Sequence, residues 1–159
     1  MFDLDTLTMK GRERFLSILG ANREPDLVIA PDGRPYLYRW HVIPRNPHAN
    51  IYLHVQVAGD AGRDFHDHPW DNTSVILEGG YDELALVGAT QYLFRRAPGE
   101  VIYRKAEDLH RLELPRGIPY SMSLFTTGPR KRAWGFLTQH GWRPAEDTTE
   151  TIMRNGSPV

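Results

Sequence analysis

The sequence predicts an all-β fold, an antiparallel barrel of the jelly-roll type fronted by one short helix. Three observations carry this. From Leu27 onward, apolar and aromatic residues fall into short runs, several alternating with polar residues at the period of a half-buried strand. Between the runs stand Pro-Asp-Gly-Arg, Ala-Gly-Asp-Ala-Gly, Glu-Gly-Gly, Ala-Pro-Gly-Glu, Pro-Arg-Gly and Thr-Gly-Pro-Arg, residues that supply the backbone angles of tight turns. The 14 Gly and 12 Pro are spread along the chain, which suits many short strands and disfavours long helices.

Taken in order, residues 4–19 read as an amphipathic helix, with Leu4, Leu7, Phe15, Ile18 and Leu19 apolar and Gly20 as its stop. Residues 1–20 are thus expected to pack a helix on the outside of the barrel. Strands are expected at 36–43, 51–57, 63–68, 73–77, 81–87, 91–95, 101–103, 110–114, 121–126 and 133–138, within a single barrel domain over residues 27–143. Residues 144–159 are polar and lack periodicity apart from Ile152-Met153, the pattern of a mobile tail.

Composition narrows the classes. A chain of 159 residues is large enough to bury one core. A formal net charge of -1 gives no reason to expect a nucleic-acid or membrane partner, and Arg130-Lys131-Arg132 reads as a hairpin tip. The absence of cysteine excludes disulfides and thiolate metal sites and fits a reducing cytoplasm. No apolar run approaches the roughly 20 residues of a membrane span, and Asp3 and Asp5 stand where a secretory signal would be basic. A cytoplasmic protein is expected.

The chemistry concentrates in His66-Asp67-His68-Pro69-Trp70-Asp71 and in His110, which follows His68 by 42 residues. Histidines at i and i+2 on a strand project from one face. His110 opens a strand on which Leu112 and Leu114 share its face, so its imidazole points inward with the apolar set. An inward imidazole needs a partner, and a cation shared among three of them supplies it. His66, His68 and His110 are the candidate ligands of one divalent metal ion. His41, His48 and His140 read as ordinary surface or hydrogen-bonded histidines.

These segments resemble the two conserved motifs of the cupin superfamily. In the first, His66 and His68 match the His-x-His pair and Gly79 matches the later glycine, while Asn72 stands at the family's glutamate position. In the second, Gly99 and His110 keep the family's separation, with Lys105 and Glu107 at its Pro and Gly positions. The run His-Asp-His-Pro-Trp-Asp, with Gly79-Gly80-Tyr81-Asp82-Glu83 after it, also looks like a subgroup of small single-domain cupins. The resemblance implies the double-stranded β-helix fold, a bound metal and a homodimer, the last through strand exchange or sheet packing for which residues 36–43 are available.

With a neutral Asn72, the expected ligand set is three imidazoles, leaving the full 2+ charge of the ion on the site. Such a face is similar to that of the thiol dioxygenases, which makes Fe(II) the first choice, with Ni, Mn or Zn accepted by the same ligands. Around it, Asn72, Asp71, His54, Tyr81, Trp70, Glu83 and Arg104 are candidate neighbours or pocket residues. Asp71 can cap the turn or turn inward, and His54 shares a strand face with Tyr52 and Gln56 too polar for a plain core wall. Trp134 can wall the pocket, and Arg39, Arg104 and Arg111 can hold a substrate carboxylate. The leading expectation is a non-haem iron dioxygenase acting on a small polar or anionic metabolite. The alternatives are a metal-dependent lyase, isomerase or hydrolase using Tyr81, Tyr103 or Glu83 for acid–base chemistry, and a non-catalytic ligand-binding cupin.

Overall fold

The computed structural model describes residues 1–30, 33–59 and 64–145 in full, and 152–154 and 157–158 by their backbone. The N-terminal apolar stripe is two elements rather than the one helix expected. Asp3 caps a single 3-10 turn at Leu4–Thr6, its carboxylate accepting from the Asp5 amide at 2.9 Å. The chain then extends through Thr8, whose hydroxyl accepts from the Gly11 amide at 3.0 Å and starts α1, Met9–Leu19. A threonine hydroxyl competing for these amides stops the first turn from propagating into the second. Gly20, at φ 76°, ends α1 in the left-handed conformation.

Gly11 sets how closely α1 approaches the barrel. A Cβ there would fall 2.2 Å from the Tyr120 hydroxyl, so only glycine lets the helix seat. Phe2, Leu7 and Phe15 then pack on Trp40, Leu53, Val55, Tyr120 and Met122, all buried. Phe15 and Phe2 meet the Trp40 ring edge-on at 4.9 and 5.0 Å.

The strands are β1 (Leu27–Ile29), β2 (Leu37–His41), β3 (Asn50–Gln56), β4 (Phe65–His66), β5 (Asn72–Glu78), β6 (Tyr81–Val87), β7 (Thr90–Arg96), β8 (Val101–Arg104), β9 (Leu109–Glu113), β10 (Ser121–Thr127), β11 (Gly135–Thr138), β12 (Gly141–Pro144), β13 (Ile152–Arg154) and β14 (Ser157–Pro158). They form two antiparallel sheets, β14-β13-β1-β2-β3-β10-β5-β8 and β12-β11-β4-β9-β6-β7. β2 lies inside the first sheet, between β1 and β3, so residues 36–43 are not the edge that strand exchange would use. The expected strand at 63–68 is ordered as strand only at Phe65–His66, and Arg63 lies outside the described residues. Beyond β4, the Asp67 amide bonds the Gly135 carbonyl at 3.1 Å and the His68 amide bonds the Ala106 carbonyl at 2.9 Å, which keeps the chain extended. Of the polar tail, Ile152 and Met153 pair with β1, and residues 146–151 lie outside the described residues.

Alternation on β3 separates the two sides of the first sheet. Leu53 and Val55 face α1, while Tyr52, His54 and Gln56 face inward. The largest apolar cluster therefore lies outside the barrel, under the helix. Inside, Ile76, Tyr81 and Ile102 pack with Leu112 and Leu114, and the remaining interior is a cavity of about 320 Å3. Among the described residues, no helix is long and apolar enough to cross a membrane.

Candidate metal centre

β4 and β9 are neighbours in the second sheet, and their register places His66 opposite His110. Ring centroids lie 4.7 Å apart for this pair, 5.3 Å for His66 and His68, and 5.0 Å for His68 and His110. One ring nitrogen from each lies within 4.8 Å of the others, so a single ion can be reached by all three. The His68 Nδ1 is buried without a hydrogen-bond partner among the described residues, an uncommon state for a polar atom unless a ligand completes it. Burial, then the neighbouring His110, His66, Arg104 and Arg39, push the His68 imidazole well below its ordinary range. It is therefore neutral at physiological pH, the form that binds metals. The donor set fits a divalent transition ion.

Behind His110 stands a buried ionic hub. Glu83 on β6 accepts from His110 Nδ1 at 2.7 Å, Arg104 Nε at 2.5 Å and Arg96 Nε at 2.7 Å. Burial alone would raise the Glu83 carboxyl; the bonds from His110 and Arg104 and the Arg104 charge overcome it and hold the group far below the usual carboxylate range. Glu83 thus fixes the His110 ring with its Nδ1–H toward the carboxylate and its Nε2 toward His66 and His68. It stays ionised throughout the physiological range, which removes it as a proton donor. Arg104 continues the hub to Ser74 at 3.0 Å and Tyr81 at 3.2 Å, so its charge is already matched.

The other residues singled out by the sequence fall into two groups. His54, Trp70, Tyr81, Arg104 and Trp134 line the cavity, with Arg39 and the three histidines. Asn72 and Asp71 do not line it. Asn72 is buried, but its amide turns back to the Trp70 carbonyl at 3.4 Å. Asp71 ties the outer hairpins together, accepting from the Ala106 amide at 3.0 Å, from Tyr103 at 3.3 Å and from Lys131. Tyr103 is exposed and serves that tie, and Arg111 packs over Phe65 on the far face.

Sequence reasoning missed Asp67 and Arg96. Asp67, 2% exposed, accepts from the Gly135 amide at 2.7 Å, Trp142 Nε1 at 2.9 Å and Arg132, which locks the His-x-His segment to β11 and β12. Its signal was parity: a residue between two inward histidines faces away from the metal, toward whatever strand lies behind. Arg96 reaches Glu83 across the β6–β7 hairpin, where Tyr81 is paired with Arg96 and Glu83 with Phe94. Only knowledge of that register reveals it.

No family model matches the chain, and no curated protein matches it in sequence. Solved structures do match in shape. The hydroxypropylphosphonic acid epoxidase from S. wedmorenis superposes with a TM-score of 0.52 at 12% identity, over 67% of this chain and 58% of its own, so the chain spans a little over half of that protein. The iron(II) form of HppE matches with a TM-score of 0.53 at 14% identity, over 79% of this chain and 78% of its own. A double-stranded β-helix protein of unassigned function from Klebsiella pneumoniae matches with a TM-score of 0.50 at 14% identity, over 63% and 83%. Two antiparallel sheets enclosing a histidine-lined cavity, superposable on these structures, give this chain the double-stranded β-helix fold of the cupins.

Proposed function

We propose that this chain is a mononuclear metal-dependent oxygenase, with Fe(II) held by His66, His68 and His110, acting on a small anionic metabolite. The observation that carries the proposal is a carboxylate-free histidine trio opening into a cavity whose Arg39 lacks an acidic partner among the described residues. Three neutral imidazoles leave the 2+ charge of the ion uncompensated, and an anion supplies the balance. When bound, iron(II) supplies the one-electron chemistry that makes dioxygen reactive toward an organic substrate. The chain's own contributions are positional. Glu83 orients His110; Tyr52, Trp70, Phe125 and Trp134 wall the cavity against bulk water; and Arg39, with Arg45 at the rim, draws anions inward. That HppE takes iron(II) on the same fold supports the choice of metal at the level of fold alone. Ni, Mn and Zn suit the same ligands.

A Lewis-acid lyase, isomerase or hydrolase is the second reading, favoured by Tyr81, which lines the cavity and whose hydroxyl accepts from Arg104 at 3.2 Å. Oxygen dependence separates the two. Protein reconstituted anaerobically with Fe(II) and screened against small carboxylic acids should consume dioxygen in proportion to product. Turnover that proceeds without dioxygen would overturn the oxygenase and favour the Lewis-acid route. The same proposal places the chain in the cytoplasm as a homodimer, without nucleic-acid or membrane partners. Exposed Tyr92, Leu93 and Phe94 on edge strand β7 support self-association.

A further inference from the structure

We infer that Arg39 is the anchor for a substrate carboxylate, held end-on by its two terminal nitrogens on the wall of the cavity formed by β2 and β3. Arg39 and His54 are register partners on these strands, and Arg39 Nε donates to His54 Nε2 at 2.8 Å. The guanidinium also lies over the Tyr52 ring, 4.7 Å from its centroid. One edge and one face of the planar group are thereby fixed, and the two Nη groups have no hydrogen-bond or ion-pair partner among the described residues. That is the fork geometry that receives a carboxylate through two parallel bonds.

The surrounding charges call for an anion. Burial draws Arg39 down to about 10, still cationic at neutral pH. His54 is kept neutral by burial and by the Arg39 charge, so it accepts without neutralising its partner. The cavity's own acid, Asp26, is engaged by Arg23 at 2.8 Å and by the His41 amide at 2.7 Å. Glu83 is spent on Arg104, Arg96 and His110. A half-buried cation without a counter-charge, facing a cavity, attracts an anion, and a carboxylate supplies both the charge and the two acceptors.

The geometry also orients the rest of the ligand. Phe125 packs on His54 at 5.0 Å and on His68 at 5.9 Å, forming a continuous apolar floor from Arg39 to the histidine trio on the facing sheet. A carboxylate on Arg39 therefore directs its organic body along Phe125 toward the metal ligands. With a volume of about 320 Å3, at the small end of ligand pockets, the cavity suits a compact acid. This inference rests on the proposed function only for what happens at the far end of the ligand.

Benzoate and benzamide, alike in shape and different in charge, test the anchor. Each is titrated by calorimetry into the full chain stripped of metal with a chelator, with Trp70 and Trp134 fluorescence as a second readout. Benzoate should bind roughly 10- to 100-fold more tightly than benzamide. Arg39→Met should reduce benzoate to the benzamide level with an unchanged melting curve, and Arg39→Lys should restore part of the preference. Equal binding of the two probes, no benzoate binding, or undiminished benzoate binding by Arg39→Met would overturn it. Should Arg39→Met not fold, Arg39→Lys decides: full wild-type affinity would contradict a two-pronged anchor. Because metal is absent throughout, failure of the oxygenase proposal leaves this result intact, and the converse holds.

Discussion

Glu83→Gln tests the hub that positions His110. The carboxylate receives three donors, and it and Arg104 are 2% and 4% exposed. Glutamine keeps one acceptor oxygen but presents an NH2 group where the second oxygen stood, facing an arginine N–H. The buried Arg104 charge then loses its counter-ion, a loss of about 3–5 kcal/mol for a broken buried pair. The Arg96 side chain is 20% exposed and screened by water, so its share adds at most about 1 kcal/mol. For a chain of this length each kcal/mol lowers the melting temperature by about 2–4 °C, giving a fall of roughly 6–24 °C. Metal affinity should fall about 10- to 100-fold, because the His110 ring loses the anion that orients it. Calorimetric melting with chelator present measures the first effect, and competition with a chelating dye measures the second. Arg96→Met should cost much less on both scales. A Glu83→Gln protein melting within about 2 °C of wild type and binding metal equally well would refute the hub.

Asp67→Ala should destabilise by about 3 kcal/mol, since it strands the Gly135 amide, the Trp142 indole N–H and Arg132 at once, and urea titration checks it. In chelator, stability should fall as pH drops below about 6.5. His54 and His68 titrate below their ordinary range when folded, so the unfolded chain takes up protons first and stability rises with pH across that window. Glu83, also depressed, should extend the loss below about pH 4.3. A melting temperature flat between pH 5 and 7 would contradict this assignment of neutral buried histidines. Light scattering should give twice the 18.2 kDa chain mass, and Leu93→Glu on β7 should return it to the monomer value; a monomer at all concentrations would contradict self-association.

The fold was legible because strand alternation and turn residues act locally. β6 falls where the pattern put it, and β10 differs by one residue at its end. The metal trio was legible for the same reason: His-x-His parity and the inward phase of His110 are properties of single strands. What escaped depends on long-range register or on competition at element ends. The break at Thr8 turns on one hydroxyl competing for backbone amides. β1, with three apolar residues, and β12, with four largely exposed ones, are too short to show the alternation of a strand. Arg96 meets Glu83 only through the β6–β7 pairing. Asp71, ambiguous in sequence, is decided by Lys131, Tyr103 and Ala106, from 32 to 60 residues away. Sequence parity made the β3 face of Tyr52, His54 and Gln56 suspiciously polar; the structure explains this by putting the apolar face of that strand under α1 instead.

Metal stoichiometry is the most direct test of the histidine trio. Untagged protein loaded anaerobically with Fe(II), passed through a desalting column and assayed by plasma mass spectrometry should retain one ion per chain. His66→Ala, His68→Ala and His110→Ala should each retain almost none while keeping the far-ultraviolet spectrum of the folded barrel. Wild type without retained metal, or any one of the three variants retaining it at the wild-type level, would contradict a shared three-histidine centre.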